Sequence, residues 1–252
     1  MSTVQTAIGR FVWHDHISGD ADKARSFYTE LLGWETEVWK AGEMDYPMIK
    51  AHEQTHGGFG PAQGGAPSHW LGHVVVENAD EAAGRAQAAG GNLLAEPMDI
   101  PEVGRMAVVQ DPQGAVLSLF TPAGESPTSE GVFLWDELLT SDVEAAKAFY
   151  GEVVGWEAEE MDMGPGGIYT IFRTGEAQRA GAVPMPEGEE APPHWLTYLA
   201  ADDVDASAVK AESLGGSTLK GPMDVRTVGR LALLSDPTGA VFGLFNPGEA
   251  GS

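Results

Sequence analysis

The 252 residues contain no cysteine, so disulfides, thiolate nucleophiles and cysteine-ligated metals are all excluded. Basic residues are scarce. Lys and Arg number 14 against 38 Asp and Glu, a formal charge of −24. Divided at Gly124, the first half carries 16 acids and 7 bases and the second 22 and 7. Phosphate backbones and anionic lipid surfaces are held by Lys and Arg, so neither nucleic acid nor a membrane is an expected partner. The acidity keeps a protein soluble and also attracts cations. No stretch approaches the ~18 uninterrupted apolar residues of a membrane helix. The opening residues lack a basic segment followed by an apolar run, so no signal peptide is read and a cytoplasmic location is expected. There is no Gly-x-Ser-x-Gly elbow. Gly57-Gly58 and Gly64-Gly65 lack phosphate-loop spacing and read as loop glycines.

What is present is a repeat. Phe11, Trp13, Asp20, Phe27-Tyr28 and Gly33-Trp34-Glu35 recur as Phe133, Trp135, Asp142, Phe149-Tyr150 and Gly155-Trp156-Glu157, an offset of 122. His69-Trp70-Leu71 recurs as His194-Trp195-Leu196. Met98-Asp99, Val103-Gly104-Arg105, Asp111-Pro112 and Gly114-Ala115-Val116 recur at an offset of 125. The offset changes between Tyr46 and His69. Repetition this extended marks a tandem duplication. It divides the chain into modules at 1–122 and 131–252, joined by a Pro/Ser/Gly-rich linker at 123–130.

Each module also reads as two similar halves. Alternation predicts a strand over 11–17. Ala24, Phe27, Tyr28, Leu31 and Leu32 fall at helical spacing, between an Asp20 cap and the Gly33 stop. Strands follow over 34–39, 46–51 and 57–60. The pattern then restarts: a strand over 71–77, a helix over 80–89 ended by Gly90-Gly91, and strands over 92–98, 104–110 and 115–120. Asp111-Pro-Gln-Gly114 and Asp236-Pro-Thr-Gly239 are turn signals. The fold class is α+β: tandem βαβββ-βαβββ modules, four βαβββ units in one chain.

That order resembles the vicinal-oxygen-chelate superfamily (glyoxalase, bleomycin resistance protein, dioxygenase). The likeness rests on Asp20…Phe27-Tyr28…Leu32-Gly33-Trp34 and Asp111-Pro-Gln-Gly-Ala, with their second copies. The two-module layout is similar to actinobacterial paired-glyoxalase proteins, some labelled hydroxylase or secreted antigen. The resemblance implies that two βαβββ units of a module curl into a cup. It also implies metal ligands on the first, fourth, fifth and last strands. Carried over by counting, three of those positions fall on Trp13, Leu71 and Ser118 in the first copy. In the second they fall on Trp135, Leu196 and Gly243. None is a usual ligand, so no metal and no other cofactor is expected.

Residues two apart on a strand share a face. With Trp13 facing the cup, Asp15 faces it too, and the fifth strand adds His69, Leu71 and His73. The second copy supplies Trp135, Glu137, His194, Leu196 and Tyr198. Trp13, Asp15, His69, His73, Trp135, Glu137, His194 and Tyr198 are therefore the candidate ligand-binding residues, and no catalytic residue is assigned. Six of the seven histidines lie in the first copy, which makes it the better candidate site. Structural alternatives stand beside each. The tryptophans suit a core. Asp15 and Glu137 can pair with Arg105 and Arg230. His69 and His194, just after proline turns, can cap loops. His14 and His16 have the i, i+2 spacing of metal ligands, but Asp136 and Leu138 replace them in the second copy. Arg105 and Arg230 are expected to pair with acids rather than substrate.

Three functions fit. The first is metal-independent binding of a small organic molecule, aromatic or cationic, by a sequestering or resistance-type protein. The second is a glyoxalase-, dioxygenase- or hydroxylase-like enzyme, with displaced metal ligands or a His/carboxylate acid–base pair. The third is a structural or regulatory protein whose cups are filled by its own side chains. Duplication replaces a homodimer in many proteins, so a monomer with internal pseudo-twofold symmetry is expected, or else a homodimer.

Overall fold

A computed structural model describes residues 7–41, 44–186, 188, 191–225 and 228–248. The first copy runs β1 (Phe11–Ser18), α1 (Ala21–Leu32), β2 (Glu35–Ala41), β3 (Met44–Ala51), β4 (Gln54–Pro61), β5 (His69–Val75), α2 (Ala79–Ala88), β6 (Asn92–Ile100), β7 (Gly104–Gln110) and β8 (Val116–Pro122). The second runs β9 (Phe133–Thr140), α3 (Val143–Val154), β10 (Glu157–Asp162), β11 (Ile168–Thr174), β12 (Ala177–Pro184), β13 (His194–Ala200), α4 (Val204–Ser213), β14 (Ser217–Val225), β15 (Gly229–Ser235) and β16 (Val241–Asn246). This is the βαβββ order expected, four times over. Gly57 and Gly58 lie inside β4, as the strand expected over 57–60 requires, and the reading of them as loop glycines is corrected.

Local chemistry explains the helices. The Asp20 carboxylate accepts from Lys23 N at 3.0 Å, and Gly33 closes α1 in the left-handed region at φ 70°. Asp142 and Gly155 do the same for α3. Ala24, Phe27, Tyr28 and Leu31, at i, i+3, i+4 and i+7, form the buried stripe of α1. Asp111 and Asp236 build the turns between the last two strands of each copy. Asp111 Oδ1 accepts from the backbone N–H groups of Gln113, Gly114 and Ala115 at 2.7–2.9 Å.

The strands form two eight-stranded sheets, in the orders β2-β3-β4-β1-β5-β8-β7-β6 and β10-β11-β12-β9-β13-β16-β15-β14. Within them β1 pairs with β4 in parallel, and β5 with β8 likewise. The chain packs as two compact units, and each draws on both sequence copies. One unit consists of the start of the chain to Trp13, Leu71–Pro127 and Trp135–Trp195. The other consists of His14–Trp70, Thr128–Leu134 and Leu196–Ser252. The first unit's core puts α2 and β8 side chains such as Ala82, Ala86 and Leu119 with Phe149, Tyr150 and Trp156. In the second unit's core Phe27, Tyr28 and Trp34 lie with Phe133, Leu234 and Phe242.

A matching relay stabilises each core. Trp195 Nε1–H donates to Tyr150 Oη at 3.0 Å, and Tyr150 O–H donates to Asp111 Oδ2 at 3.0 Å. In the other unit Trp70 Nε1–H donates to Tyr28 Oη at 3.1 Å, and Tyr28 is hydrogen-bonded to Asp236. Burial, then the charge of the facing aspartate, pushes both phenols well above their ordinary range, so they remain donors. Among the described residues, no helix is long and apolar enough to cross a membrane.

Candidate functional site

The first strand of each copy has two unlike faces. On β1, Trp13, Asp15 and Ile17 are partly exposed, whereas His14, His16 and Ser18 are buried. On β9, Trp135, Glu137 and Leu139 are partly exposed and Asp136, Leu138 and Thr140 buried. The tryptophans and carboxylates singled out from sequence thus share the more open face. His14 and His16 turn into the core. His14 stacks on Phe133 with ring centroids 4.1 Å apart. His16 Nε2 lies 2.7 Å from Asp236 Oδ2, with both side chains fully buried.

The open face of β9 carries a second polar relay, and Tyr169 on β11 is its centre. Trp135 Nε1–H donates to Tyr169 Oη at 2.8 Å, and Tyr169 is hydrogen-bonded to Glu137. Burial, then the Glu137 charge, pushes the Tyr169 phenol far above its ordinary range and keeps it protonated. Register explains the meeting. Glu137 pairs across β9–β12 with Gly181, which pairs across β12–β11 with Ile171, two residues from Tyr169. The phenol lies on bare backbone: a β-carbon on Gly181 would stand 1.9 Å from Tyr169 Oη and 2.9 Å from Trp135 Nε1. In the other unit Tyr46 donates to Asp15. Asp15 pairs with Gly58, where a β-carbon would stand 2.1 Å from Tyr46 Oη. Sequence reasoning missed both tyrosines. The signal was there, since Tyr46 and Tyr169 are themselves one repeat apart.

These pairings correct the alternative in which Asp15 and Glu137 meet Arg105 and Arg230. Arg105 instead forks onto Asp80, with Nε to Oδ2 at 2.6 Å and Nη2 to Oδ1 at 2.8 Å, and reaches Asp99 at 2.9 Å. Arg230 binds Asp205 and Asp224 in the same way. The expected pairing of these arginines with acids therefore holds. His69 Nδ1 and His194 Nδ1 each lie 2.8 Å from a carbonyl oxygen, that of Pro67 and of Pro192. Both contacts match the loop-capping reading.

The fifth strands differ between copies. His73 pairs with Ser118 across β5–β8, and both are buried. At the matching place Tyr198 pairs with Gly243, where a β-carbon would stand 2.2 Å from Tyr198 Cδ1. The Tyr198 ring thus occupies the space that a side chain at 243 would need.

The residues present do not fit the divalent metal that the fold implies. Trp13, Leu71 and Ser118 replace the ligands expected in one copy. Trp135, Leu196 and Gly243, under the Tyr198 ring, replace them in the other. Among the described residues no three His, Cys, Asp or Glu side chains converge. A hard or borderline ion needs such N/O donors.

A family model described as Glyoxalase/Bleomycin resistance protein/Dioxygenase superfamily matches residues 10–119 and again 133–244. The chain is 34% identical over 247 residues to the "Putative glyoxylase CFP32" of Mycobacterium tuberculosis, covering 93% of this chain and 94% of the relative. It is 32% identical over 257 residues to the anthracycline biosynthesis protein DnrV of Streptomyces peucetius, covering 94% and 92%. Among solved structures, a Mn(II)-bound glyoxalase from Novosphingobium aromaticivorans superposes with a TM-score of 0.66 at 17% identity, covering 95% of this chain and 82% of that one. The 2,3-dioxygenase LapB from Pseudomonas sp. KL28 superposes with a TM-score of 0.66 at 14% identity, covering 95% and 92%. At these identities the structures show a shared fold.

Proposed function

The chain belongs to the Glyoxalase/Bleomycin resistance protein/Dioxygenase superfamily, and within it we propose a metal-independent protein that binds a small organic molecule. One observation carries the reading. The implied ligand positions hold Trp, Leu, Ser and Gly, while the polar groups left on the open faces of β1 and β9 are carboxylates hydrogen-bonded to tyrosines. Aromatic walls with a few fixed polar groups suit small-molecule recognition. The relative named for anthracycline biosynthesis supports a planar aromatic ligand, and the charge of −24 favours a cationic one over nucleic acid or membrane. We place the protein in the cytoplasm, as a monomer with internal pseudo-twofold symmetry or a homodimer.

The test is elemental analysis after incubation with Mn, Fe, Ni and Zn and extensive dialysis, alongside thermal shift with an aromatic ligand panel. The expected result is substoichiometric metal and a ligand-dependent rise in Tm. One equivalent of tightly held metal per copy would overturn the reading.

A second reading, a metal-independent enzyme, draws on the tyrosine–carboxylate pairs and on the relative named as a glyoxylase. A carboxylate fixed by a phenol that stays protonated can remove a proton from a bound carbon acid. Turnover abolished by Glu137→Gln or Asp15→Asn with binding intact would favour it.

A further inference from the structure

The relay Trp135–Tyr169–Glu137 has a structural explanation: tyrosine rings cover strand glycines and restore the packing that a bare backbone lacks. A phenylalanine ring would still lie over Gly181 and Gly58, since Tyr169 Cζ and Tyr46 Cζ stand 2.5 and 2.2 Å from where a β-carbon would be. The chain instead places a hydroxyl over both glycines, each beside a carboxylate from the first strand. The acid differs, Asp15 in one copy and Glu137 in the other, but the pairing persists.

The core relays sharpen the contrast. Trp195–Tyr150–Asp111 has the same donor order, yet Asp111 turns its other oxygen onto three turn amides. That carboxylate is fully engaged in building backbone. The β9 relay lies instead on the partly exposed face of a sheet, beside the Trp135 ring. Donation runs one way, from the indole N–H to the phenol and from the phenol to the carboxylate. An ionised carboxylate only accepts hydrogen bonds, so a molecule that meets it must bring a donor.

We propose that Glu137, positioned by Tyr169 over Gly181 and flanked by Trp135, is the anchor for the donor group of a planar aromatic ligand bearing a hydroxyl or an amine. Asp15 with Tyr46 over Gly58 repeats the device in the other unit. The inference rests on the small-molecule reading above and adds the ligand's chemistry. Glu137 and Asp15 contact ligand, whereas Tyr169, Tyr46 and the two glycines are positioning residues.

Titration calorimetry on the full chain tests it with three probes: 2,6-dihydroxynaphthalene, which offers hydroxyl donors; 2-naphthylmethylammonium, which offers a cationic donor; and 2,6-dimethoxynaphthalene, which offers none. At least one donor-bearing probe is expected to bind roughly tenfold or more tightly than the dimethoxy compound, the range of a hydrogen bond to a charged group. The Asp15→Asn/Glu137→Gln double variant should lose that preference and keep the dimethoxy affinity. Tyr46→Phe/Tyr169→Phe keeps both rings over their glycines and should weaken the preference several-fold. A purely structural role predicts no change in the ratio, and the phenylalanine pair remains informative where the carboxamide pair folds poorly. Equal binding of all three probes would overturn the donor inference and leave small-molecule binding standing. A preference that survives both double variants would overturn it too. Binding of none would overturn both.

Discussion

Replacing His16 with leucine removes one half of a fully buried histidine–carboxylate hydrogen bond, and the second copy shows what should follow. Asp236 Oδ2 meets His16 Nε2 at 2.7 Å, while Oδ1 accepts from Thr238 N and Oγ1 at 2.7 Å and from Ala240 N at 3.1 Å. Asp111, its counterpart, holds its turn and accepts from Tyr150 without any histidine, because Leu138 stands where His16 does. Burial pushes the Asp236 carboxyl up, but the hydrogen bond and charge of His16, aided by Thr238, outweigh it and hold the carboxyl below its ordinary range. His16→Leu loses one charge-assisted hydrogen bond, about 1.5–3 kcal/mol. It gains an apolar side chain in a fully buried site, which offsets part of that through about 1.5–3 kcal/mol of transfer energy. The net cost should therefore stay within about 2 kcal/mol. Asp236→Ala strands His16, Tyr28 and the turn amides together and should cost about 3–5 kcal/mol. The pH dependence has a fixed sign. A carboxyl depressed in the folded state contributes stability that is present above the unfolded value of about 3.9 and is lost as pH falls through the folded one. Wild-type stability should drop below about pH 4, and His16→Leu should flatten that limb, since its strongest depressing partner is gone. Urea unfolding between pH 3 and 7 measures both effects. Equal losses for the two variants, or an unchanged acid limb in His16→Leu, would refute the reasoning.

Three further outcomes are expected. Residues 1–127 and 128–252 expressed separately should not give cooperatively folded monomers, because each compact unit needs strands and helices from both; near-UV circular dichroism and sedimentation of each half check this. His73→Tyr alone should destabilise, since the ring would meet the Ser118 β-carbon, and His73→Tyr/Ser118→Gly should recover most of the loss by copying Tyr198–Gly243; a double-mutant cycle should show coupling of about 0.5–3 kcal/mol. Arg105→Gln and Arg230→Gln should leave probe affinity unchanged and lower Tm slightly, by less in high salt, as exposed ion pairs do.

The architecture was legible because it rests on local rules. Phe27, Tyr28 and Leu31 fall at helical spacing, Asp20 and Gly33 bound the helix, and Asp111-Pro-Gln-Gly marks a turn wherever it occurs. The alternation on β1 likewise put Trp13 and Asp15 on one face and His14 and His16 on the other. The partners across that face were not legible. Tyr46 reaches Asp15 only because β3, β4 and β1 stack in that order with one register, and no local pattern reports register. His16 and Asp236 stand 220 positions apart and meet only through the fold. The composition of the compact units was hidden for a related reason. Similarity between copies shows which segments descend together, whereas packing is decided by which helix stripes meet, and here each copy contributes to both cores.

Duplication also separates what the fold requires from what one copy can change. Tryptophan–tyrosine–aspartate relays lie in both cores, and tyrosine–carboxylate pairs lie over glycine in both copies. Other positions have diverged, among them His16 against Leu138 and the pair His73–Ser118 against Tyr198–Gly243. The second divergence is a matched pair, because Tyr198 fits only where residue 243 has no side chain. Tyrosine at that place opposite a residue that has a side chain would bring an overpacking penalty of about 1–3 kcal/mol. Tyr46 and Gly58, or Tyr169 and Gly181, obey the same constraint and have kept both members. What distinguishes the retained pairs from the diverged one is the carboxylate hydrogen-bonded to each tyrosine, Asp15 to Tyr46 and Glu137 to Tyr169.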